Sequence, residues 1–217
     1  MRSQHKITRN LIINAAIDVF SNGDFEKATM RSIADKAGVP TTSIYNYFKN
    51  KDDLYVTLIK LIVDRTNREL NAHLLGINDI KNKIKILAKH QLEYFEANPN
   101  IAYLVFASTN ISYWYQHSSA LEKARESSAV LVKIIEEGKS RKKIRADINS
   151  HIIVHMFFGA MRAMVINWLY SKQIYKLSDM ADYLADYIYS GIAFVNPDKP
   201  EFICPLLTKA NQQSLYE

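Results

Sequence analysis

The stretch MRSIADKAGVPTTSIYNYFKNKDDL, residues 30–54, decides the fold of the N-terminal part of this chain. Its spacing of apolar residues predicts a short helix over residues 30–37, a stop at Gly38, and a second helical run over residues 41–47. Two short helices joined by a glycine-containing turn are typical of a helix-turn-helix unit, whose second helix enters the DNA major groove. The second run is poor in Leu and Ile, as a groove-facing helix with a small anchoring face requires.

Residues 41–47 instead carry hydroxyl and phenol groups. Such hydroxyls can bond base edges or phosphates, threonine methyls can touch thymine methyls, and a helix N-terminus attracts phosphate. Positive charge is concentrated in the same region: residues 1–51 hold eight Lys or Arg and four Asp or Glu, which is +4 of the chain's net +6. On this spacing alone the alternative is a helical hairpin with a polar outer face, since hydroxyls also cap ordinary helices.

Helical spacing of apolar residues continues through the rest of the chain. It predicts a first helix capped by Thr8, a later helix that ends at Gly138, and an almost entirely apolar helix over residues 152–170. No convincing strand pattern accompanies these helices. We therefore predict an all-α fold of about nine helices, divided into a three-helix head, residues 1–50, and a larger helical domain, residues 51–217.

Composition favours a cytoplasmic protein without a membrane span. The single cysteine, Cys204, excludes an intramolecular disulfide, and the polar N-terminus lacks the apolar core of a secretory signal. The apolar segment over residues 152–170 approaches membrane-spanning length. It nevertheless contains His155, Arg162 and Asn167, and a charged side chain at mid-span is costly in lipid. We interpret the segment as a buried helix.

The run from Leu11 to Leu54 resembles the DNA-binding domain of tetracycline-repressor (TetR-like) transcription regulators. AAIDVF, GDFEKATMRSIADKAGV and TTSIYNYFKNKDDL match in that order. The family's small-residue turn, its tyrosine in the recognition helix and its aromatic-Phe-x-x-Lys run are all present at the family's spacing. The resemblance covers about a quarter of the chain and implies a sequence-specific DNA-binding head.

The resemblance implies a set of DNA contacts. Arg31 matches a base-reading position, where its guanidinium would contact a guanine edge. Pro40 departs from many relatives and lacks an N–H donor, so it is left out of the set. The predicted DNA-binding residues are Thr29, Arg31, Thr41, Thr42, Ser43, Tyr45, Tyr47 and Lys51. For the N-terminal arm, with Arg2, His5, Lys6 and Arg9, two readings stay open: a DNA-tracking arm or a disordered tail.

Two C-terminal helices resemble those that form the intersubunit four-helix bundle of this family. A helix that is apolar nearly all round needs a second covered face, and a two-fold dimer presents two recognition helices to a palindromic operator. A helix buried only in its own core is the alternative. The predicted interface residues are Phe157, Gly159, Ala163, Tyr183, Tyr187 and Gly191.

The larger domain also has a high aromatic content with scattered amides, which suits a cavity for a flat or greasy small molecule. Aromatic residues at helical spacing equally form ordinary core. The segment FFGAMRAMVINWL is similar to regulators that sense fatty acyl compounds or hydrophobic drugs. The predicted ligand-binding residues are Gln91, Tyr94, Tyr103, Phe106, Asn110, Tyr113, Trp114 and Trp168.

No catalytic or metal-binding pattern emerges. His151 and His155 are four residues apart, but the intervening Glu of a metalloprotease motif is absent, and there is no glycine-rich phosphate loop. We therefore expect no enzyme activity, no cofactor and no metal. The sequence predicts a homodimeric repressor that a small hydrophobic or aromatic effector releases from double-stranded DNA. The alternative is a helical adaptor or binding module without sequence-specific DNA binding.

Overall fold

The computed structural model of the protein describes residues 2–22, 25, 27–107 and 118–194, and their side chains except those of residues 2–4, 22 and 118–127. Within these ranges the chain is helical apart from its turns, which confirms the predicted all-α class. The described residues form nine helices: α1 Arg2–Asn22, α2 Met30–Ala37, α3 Thr41–Ile44, α4 Lys51–Leu74, α5 Ile80–Ala97, α6 Pro99–Phe106, α7 Ser118–Ser140, α8 Ser150–Tyr170 and α9 Met180–Ile192. A single 3-10 turn, Leu177–Asp179, precedes α9.

The helices enclose two apolar cores. The N-terminal core lies between α1, α2, α3 and the first half of α4, with Phe20, Ile33, Ile44 and Leu54 fully buried. The C-terminal core lies between the second half of α4 and α5 to α9, centred on α5. Burial of these side chains is the main term that offsets the entropy lost on folding.

Two helices belong to both cores. Leu58, Ile59 and Val63 of α4 pack in the N-terminal core, whereas Leu70 packs in the C-terminal core. The short helix α6 places Leu104 in the N-terminal core. The head and the larger domain are therefore joined through packed side chains. The boundary that the sequence predicts after residue 50 stays a prediction.

A buried hydrogen bond joins the two shared helices. The phenol of Tyr55, on α4, donates to the carbonyl of Leu104, on α6, over 3.2 Å. Tyr55 itself is fully buried against the rings of Phe20 and Phe25. The start of α4 and the middle of α6 are thus held together beneath the head.

The helix boundaries predicted at Thr8 and Gly138 were wrong. α1 begins at Arg2, so Thr8 lies inside this helix and does not cap it. The N-terminal arm is therefore helical from Arg2 onward, rather than a disordered tail. Gly138 lies within α7 instead of ending it. A Cβ atom at Gly138 would lie 2.5 Å from Cδ1 of Ile144 and 3.2 Å from Cγ2 of Ile80, so this glycine serves close packing.

The apolar helix α8 is long and apolar enough, by length and composition, to cross a membrane. Core helices of soluble proteins pass the same test. α8 supplies Phe157, Val165 and Trp168 to the C-terminal core, and Asn149 caps its N-terminus by accepting from the N–H groups of His151 and Ile152. One face of α8 is therefore buried as predicted, whereas the opposite face carries exposed apolar side chains such as Ile152 and Met156.

Candidate functional site

The first helix of the helix-turn-helix pair is fixed at both ends. Thr29 and Ser32 form a capping box: the Thr29 hydroxyl accepts from the Ser32 N–H over 3.0 Å, and the Ser32 hydroxyl accepts from the Thr29 N–H over 3.1 Å. At the other end Gly38 has φ 67°, a left-handed conformation that glycine adopts without strain. Thr29, predicted as a DNA contact, therefore has a structural role as well.

The second helix, α3, is a single turn. It spans Thr41–Ile44, while residues 45–47 form turns, so it is shorter than the run that the sequence predicts. Pro40 precedes it and accepts from the Ser43 N–H over 2.8 Å through its carbonyl. Ile44 and Phe48 are buried and anchor this segment in the N-terminal core, and Tyr47 packs against the same core.

Several predicted DNA-binding side chains are exposed on the head. The Arg31 side chain is 84% exposed and contacts the carboxylate of Asp35 at only 4.0 Å, which leaves it able to exchange partners. Thr42 and Tyr45 are exposed, while Thr41 and Ser43 are half-buried. These positions suit contacts to bases and phosphates, and the contacts themselves stay predictions.

The start of α1 packs against the segment that follows α3. The His5 ring lies 4.4 Å from the Tyr47 ring, and the guanidinium of Arg9 lies 5.7 Å above the Phe48 ring. Such aromatic and cation–π contacts hold the arm beside the helix-turn-helix pair. The side chain of Tyr47 is half-buried as a result.

Lys51 has an internal role that the sequence did not indicate. Its ammonium donates to the backbone carbonyl of Phe25 over 2.8 Å and lies 4.5 Å from the centroid of the Phe25 ring. The side chain therefore ties the start of α4 to the segment between α1 and α2. Its predicted phosphate contact stays a prediction.

A cavity of about 1020 Å³ lies between α4 and α8. This volume is just above the range of roughly 300–1,000 Å³ typical of small-molecule sites. Its walls come from five helices and are mainly apolar. The lining residues are Ile59, Ile62, Val63, Thr66, Gln91, Phe95, Val105, Phe106, Ser128, Ala129, Val132, Lys133, His151, Val154, His155, Phe158, Gly159, Met161 and Arg162.

The cavity wall contains basic groups, and no Asp or Glu is among its described lining residues. His151, His155 and Arg162 follow one face of α8, and Lys133 faces them from α7. Arg162 donates through Nη2 to the carbonyl of Phe106 over 3.3 Å. Sequence reasoning missed this stripe because it weighed the aromatic residues. The spacing of His and Arg within an otherwise apolar helix was the available signal.

The predicted ligand-binding residues are split. Gln91 and Phe106 line the cavity. Trp168 does not, because it is buried in the C-terminal core with its indole N–H donating to the Tyr175 carbonyl over 2.9 Å. Tyr94 and Tyr103 are half-buried elsewhere on α5 and α6. Asn110, Tyr113 and Trp114 lie outside the described residues.

Burial also affects Tyr94 chemically. Its side chain packs against both cores, with its ring 5.7 Å from that of Phe95. Burial raises the pKa of the Tyr94 phenol above its ordinary value, so the group stays protonated. Tyr94 thus acts as packing between the head and the larger domain.

The predicted interface residues are exposed with one exception. Gly159, Ala163, Tyr183, Tyr187 and Gly191 are exposed on α8 and α9. Phe157 is a correction: its side chain is fully buried in the C-terminal core, because it points to the opposite face of α8. The exposed stripe of α8 instead includes three large side chains that the prediction omitted, namely Ile152, Met156 and Tyr170.

A second, smaller cavity of about 240 Å³ lies between α4 and α5 beside His90. His90 is buried, its Nε2 lies 3.8 Å from a carboxylate oxygen of Glu69, and its ring is 5.3 Å from that of His73. Burial, and secondarily His73, lowers the pKa of His90. Nδ1 of His90 has no hydrogen-bond partner among the described residues.

Comparison with known proteins places this geometry in a family. The family model described as "Bacterial regulatory proteins, tetR family" matches residues 12–58. A second model, "YsiA-like protein, C-terminal region", matches residues 58–191. Together these matches cover both the head and the cavity-bearing domain.

Individual relatives agree along most of the chain. The fatty acid metabolism regulator protein of Bacillus subtilis is 23% identical over 181 residues, which are 83% of this chain and 93% of the relative. The fold is also that of the fatty acid degradation regulator FadR from Bacillus halodurans, with a TM-score of 0.80 and 23% identity over 85% of this chain and 95% of the other. FadR from Bacillus subtilis, solved with stearoyl-CoA, aligns with a TM-score of 0.78 and 22% identity over 85% and 99% of the two chains.

These matches confirm the resemblance noted from residues 11–54 and favour the regulator reading over the adaptor reading. The relatives are regulators of transcription. The chain belongs to the tetR family of bacterial regulatory proteins and is a ligand-responsive, DNA-binding transcription regulator.

Proposed function

We propose that the protein is a cytoplasmic, homodimeric repressor that leaves a palindromic operator when an apolar small molecule fills the cavity between α4 and α8. The observation that carries this proposal is the double role of α4. Ile59, Ile62 and Val63 line the cavity and also pack in the N-terminal core. A molecule that displaces these side chains must change the packing beneath the head.

The thermodynamic requirement is unequal binding to two states. An effector releases DNA only if it binds the DNA-free arrangement of the heads more tightly than the DNA-bound one. Because α4 runs from the head to the cavity as one helix of 24 residues, a small displacement at the cavity is transmitted to the head. We infer that α4 is the element whose position differs between the two states.

The dimer is supported by the exposed apolar surface of α8 and α9. Ile152, Met156 and Tyr170 are each more than half exposed on one stripe of α8, beside Tyr183 and Tyr187 of α9. An apolar surface of this kind is typical of protein interfaces. A two-fold dimer through these helices would place two recognition helices on successive half-sites.

The effector class is supported by the cavity and by one relative. The cavity is mainly apolar and large enough for a drug-sized molecule. The FadR protein from Bacillus subtilis was solved in complex with stearoyl-CoA. We therefore propose a long apolar effector, with acyl-CoA compounds as the first candidates to test.

The decisive experiment selects operators from fragmented genomic DNA with the purified full-length protein at moderate salt. We expect enrichment of a two-fold symmetric sequence, and release of that DNA by dodecanoyl-CoA in fluorescence anisotropy. Arg31→Ala should cost about 1–3 kcal/mol at one operator position. The matched control is Arg68→Ala, which removes an exposed arginine of α4 that is not among the predicted DNA contacts. It should leave operator affinity unchanged. Enrichment without symmetry, or an equal loss in both variants, would contradict the proposal.

A further inference from the structure

Arg162 is a cation on the wall of an apolar cavity. It lies in the middle of α8, its side chain is half-buried, and none of the described residues forms an ion pair with it. A guanidinium has five N–H donors, and a charge removed from water needs a compensating partner. The hydrogen bond from Nη2 to the Phe106 carbonyl, at 3.3 Å, is long for such a donor.

Lys133 adds a second cation to the surroundings of Arg162. Lys133, His151 and His155 line the same cavity, and no Asp or Glu does so among the described residues. Attraction between opposite charges is stronger in an apolar enclosure than in water. The cavity therefore favours a ligand that carries an anionic group on an apolar body.

The present partner of Arg162 resembles a weak substitute for an anion. Phe106 is the last residue of α6, and carbonyls at a helix C-terminus carry partial negative charge. A carboxylate or phosphate oxygen is a stronger acceptor for a guanidinium than a carbonyl. An anionic ligand group next to Arg162 would therefore compete with the Phe106 carbonyl.

This competition would reach the head through α6. Leu104, two residues before Phe106, is packed in the N-terminal core, and its carbonyl accepts from the Tyr55 phenol. Val105 lines the cavity and packs against both cores. The end of α6 thus links the Arg162 guanidinium to the start of α4.

We propose that the effector carries an anionic group, a carboxylate or a phosphate, at the end of its apolar body, and that Arg162 exchanges the Phe106 carbonyl for this group. The inference rests on the proposed effector-released repressor and specifies the ligand chemistry of its cavity. Arg162 is the residue that selects charged over neutral ligands. Its exchange of partners frees the C-terminal end of α6 to shift against the head.

The test compares three ligands with the same alkyl chain: dodecanoate, dodecyl phosphate and dodecan-1-ol. Isothermal titration calorimetry on the full-length native protein should show at least about tenfold tighter binding of one anion than of the alcohol, the difference that one charge-assisted hydrogen bond provides. The preferred anion identifies the head group. Arg162→Gln should remove most of this preference, and a near-native circular dichroism spectrum shows that the variant is folded.

Two control variants sharpen the result. Arg162→Lys keeps the charge and should retain part of the preference, whereas Lys172→Gln removes an exposed cation outside the cavity and should change nothing. Equal binding of all three ligands by the native protein would overturn the inference, as would an equal loss for all three in Arg162→Gln.

The same ligands separate this inference from the proposed function. If dodecan-1-ol releases operator DNA as well as the anions do, the repressor proposal stands and the role of Arg162 fails. If an anion binds through Arg162 without changing operator affinity, the head-group assignment stands, and both the exchange at α6 and the effector-released repressor fail. Failure of all three ligands to bind would overturn both proposals.

Discussion

Replacing Gly159 by alanine should stabilise the protein. Gly159 lies inside α8, and a Cβ atom built there would have no neighbour within 4 Å among the residues that the structure describes. The methyl group therefore brings no steric cost, while the change from glycine to alanine in a helix interior favours the helix by about 0.8–1.0 kcal/mol. For a protein of this length, that gain corresponds to a rise in melting temperature of about 2–4 °C.

Gly138→Ala is the matched control because it makes the same substitution in α7. Here the new Cβ would lie 2.5 Å from Cδ1 and 2.8 Å from Cγ1 of Ile144. Overpacking of a filled core typically costs about 1–3 kcal/mol, which offsets or exceeds the gain in helix propensity. We expect a net loss of up to about 2 kcal/mol in this variant.

Urea unfolding, followed by circular dichroism at equal protomer concentrations, measures both variants. Equal concentrations matter because the stability of a dimer depends on protein concentration. Sedimentation equilibrium adds a second readout, since Gly159 is also a predicted interface residue, and a close contact there would weaken association in Gly159→Ala. A fall in protomer stability of Gly159→Ala with unchanged association, or a gain in Gly138→Ala, would refute the packing argument.

Three further variants test other parts of the structure. Thr29→Ala should lower the free energy of unfolding by about 1 kcal/mol in thermal denaturation, because it removes the capping box with Ser32, and Thr29→Ser should restore it. Unchanged stability in Thr29→Ala would leave only the predicted DNA contact for this residue. Because the pKa of His90 is lowered in the folded protein, the unfolded chain takes up this proton first as the pH falls. The native protein should therefore lose stability below about pH 6.5, and His90→Gln should lose less. The same pH dependence of the urea unfolding free energy in both proteins would contradict this assignment. Phe157→Ala should lower the free energy of unfolding by about 3–5 kcal/mol, because a buried ring is lost, whereas Tyr187→Glu should chiefly weaken dimer formation in sedimentation equilibrium. The reverse pattern would show that Phe157 lies in the dimer interface.

The head was predictable from sequence because its signals are local. The short helix over residues 30–37 and its stop at Gly38 each depend on a few neighbouring residues, and the structure has both where the pattern placed them. The length of α3 was overestimated because residues 45–47 keep a helix-compatible composition while forming turns. Sequence spacing does not separate these two outcomes.

The cavity was less predictable because its walls come from distant parts of the chain. Trp168 is a residue type common in ligand sites, yet its indole N–H donates a hydrogen bond to the Tyr175 carbonyl within the core. Phe157 is a residue type common in interfaces, yet its position on α8 places its side chain in the C-terminal core. Gly138 was taken as a helix end, although it is required by the side chain of Ile144. In each case tertiary packing decided between alternatives that the sequence left equal.

The sharing of Ile59, Ile62 and Val63 between the cavity and the N-terminal core limits how this protein can acquire new ligands. A substitution at any of these residues alters the fit of a ligand and the packing of the head at once. Residues of the opposite wall, such as Val132, Phe158 and Met161, lie outside the N-terminal core. Divergence of ligand preference, in nature or in a designed biosensor, should therefore accumulate on α7 and α8, while the α4 wall is retained.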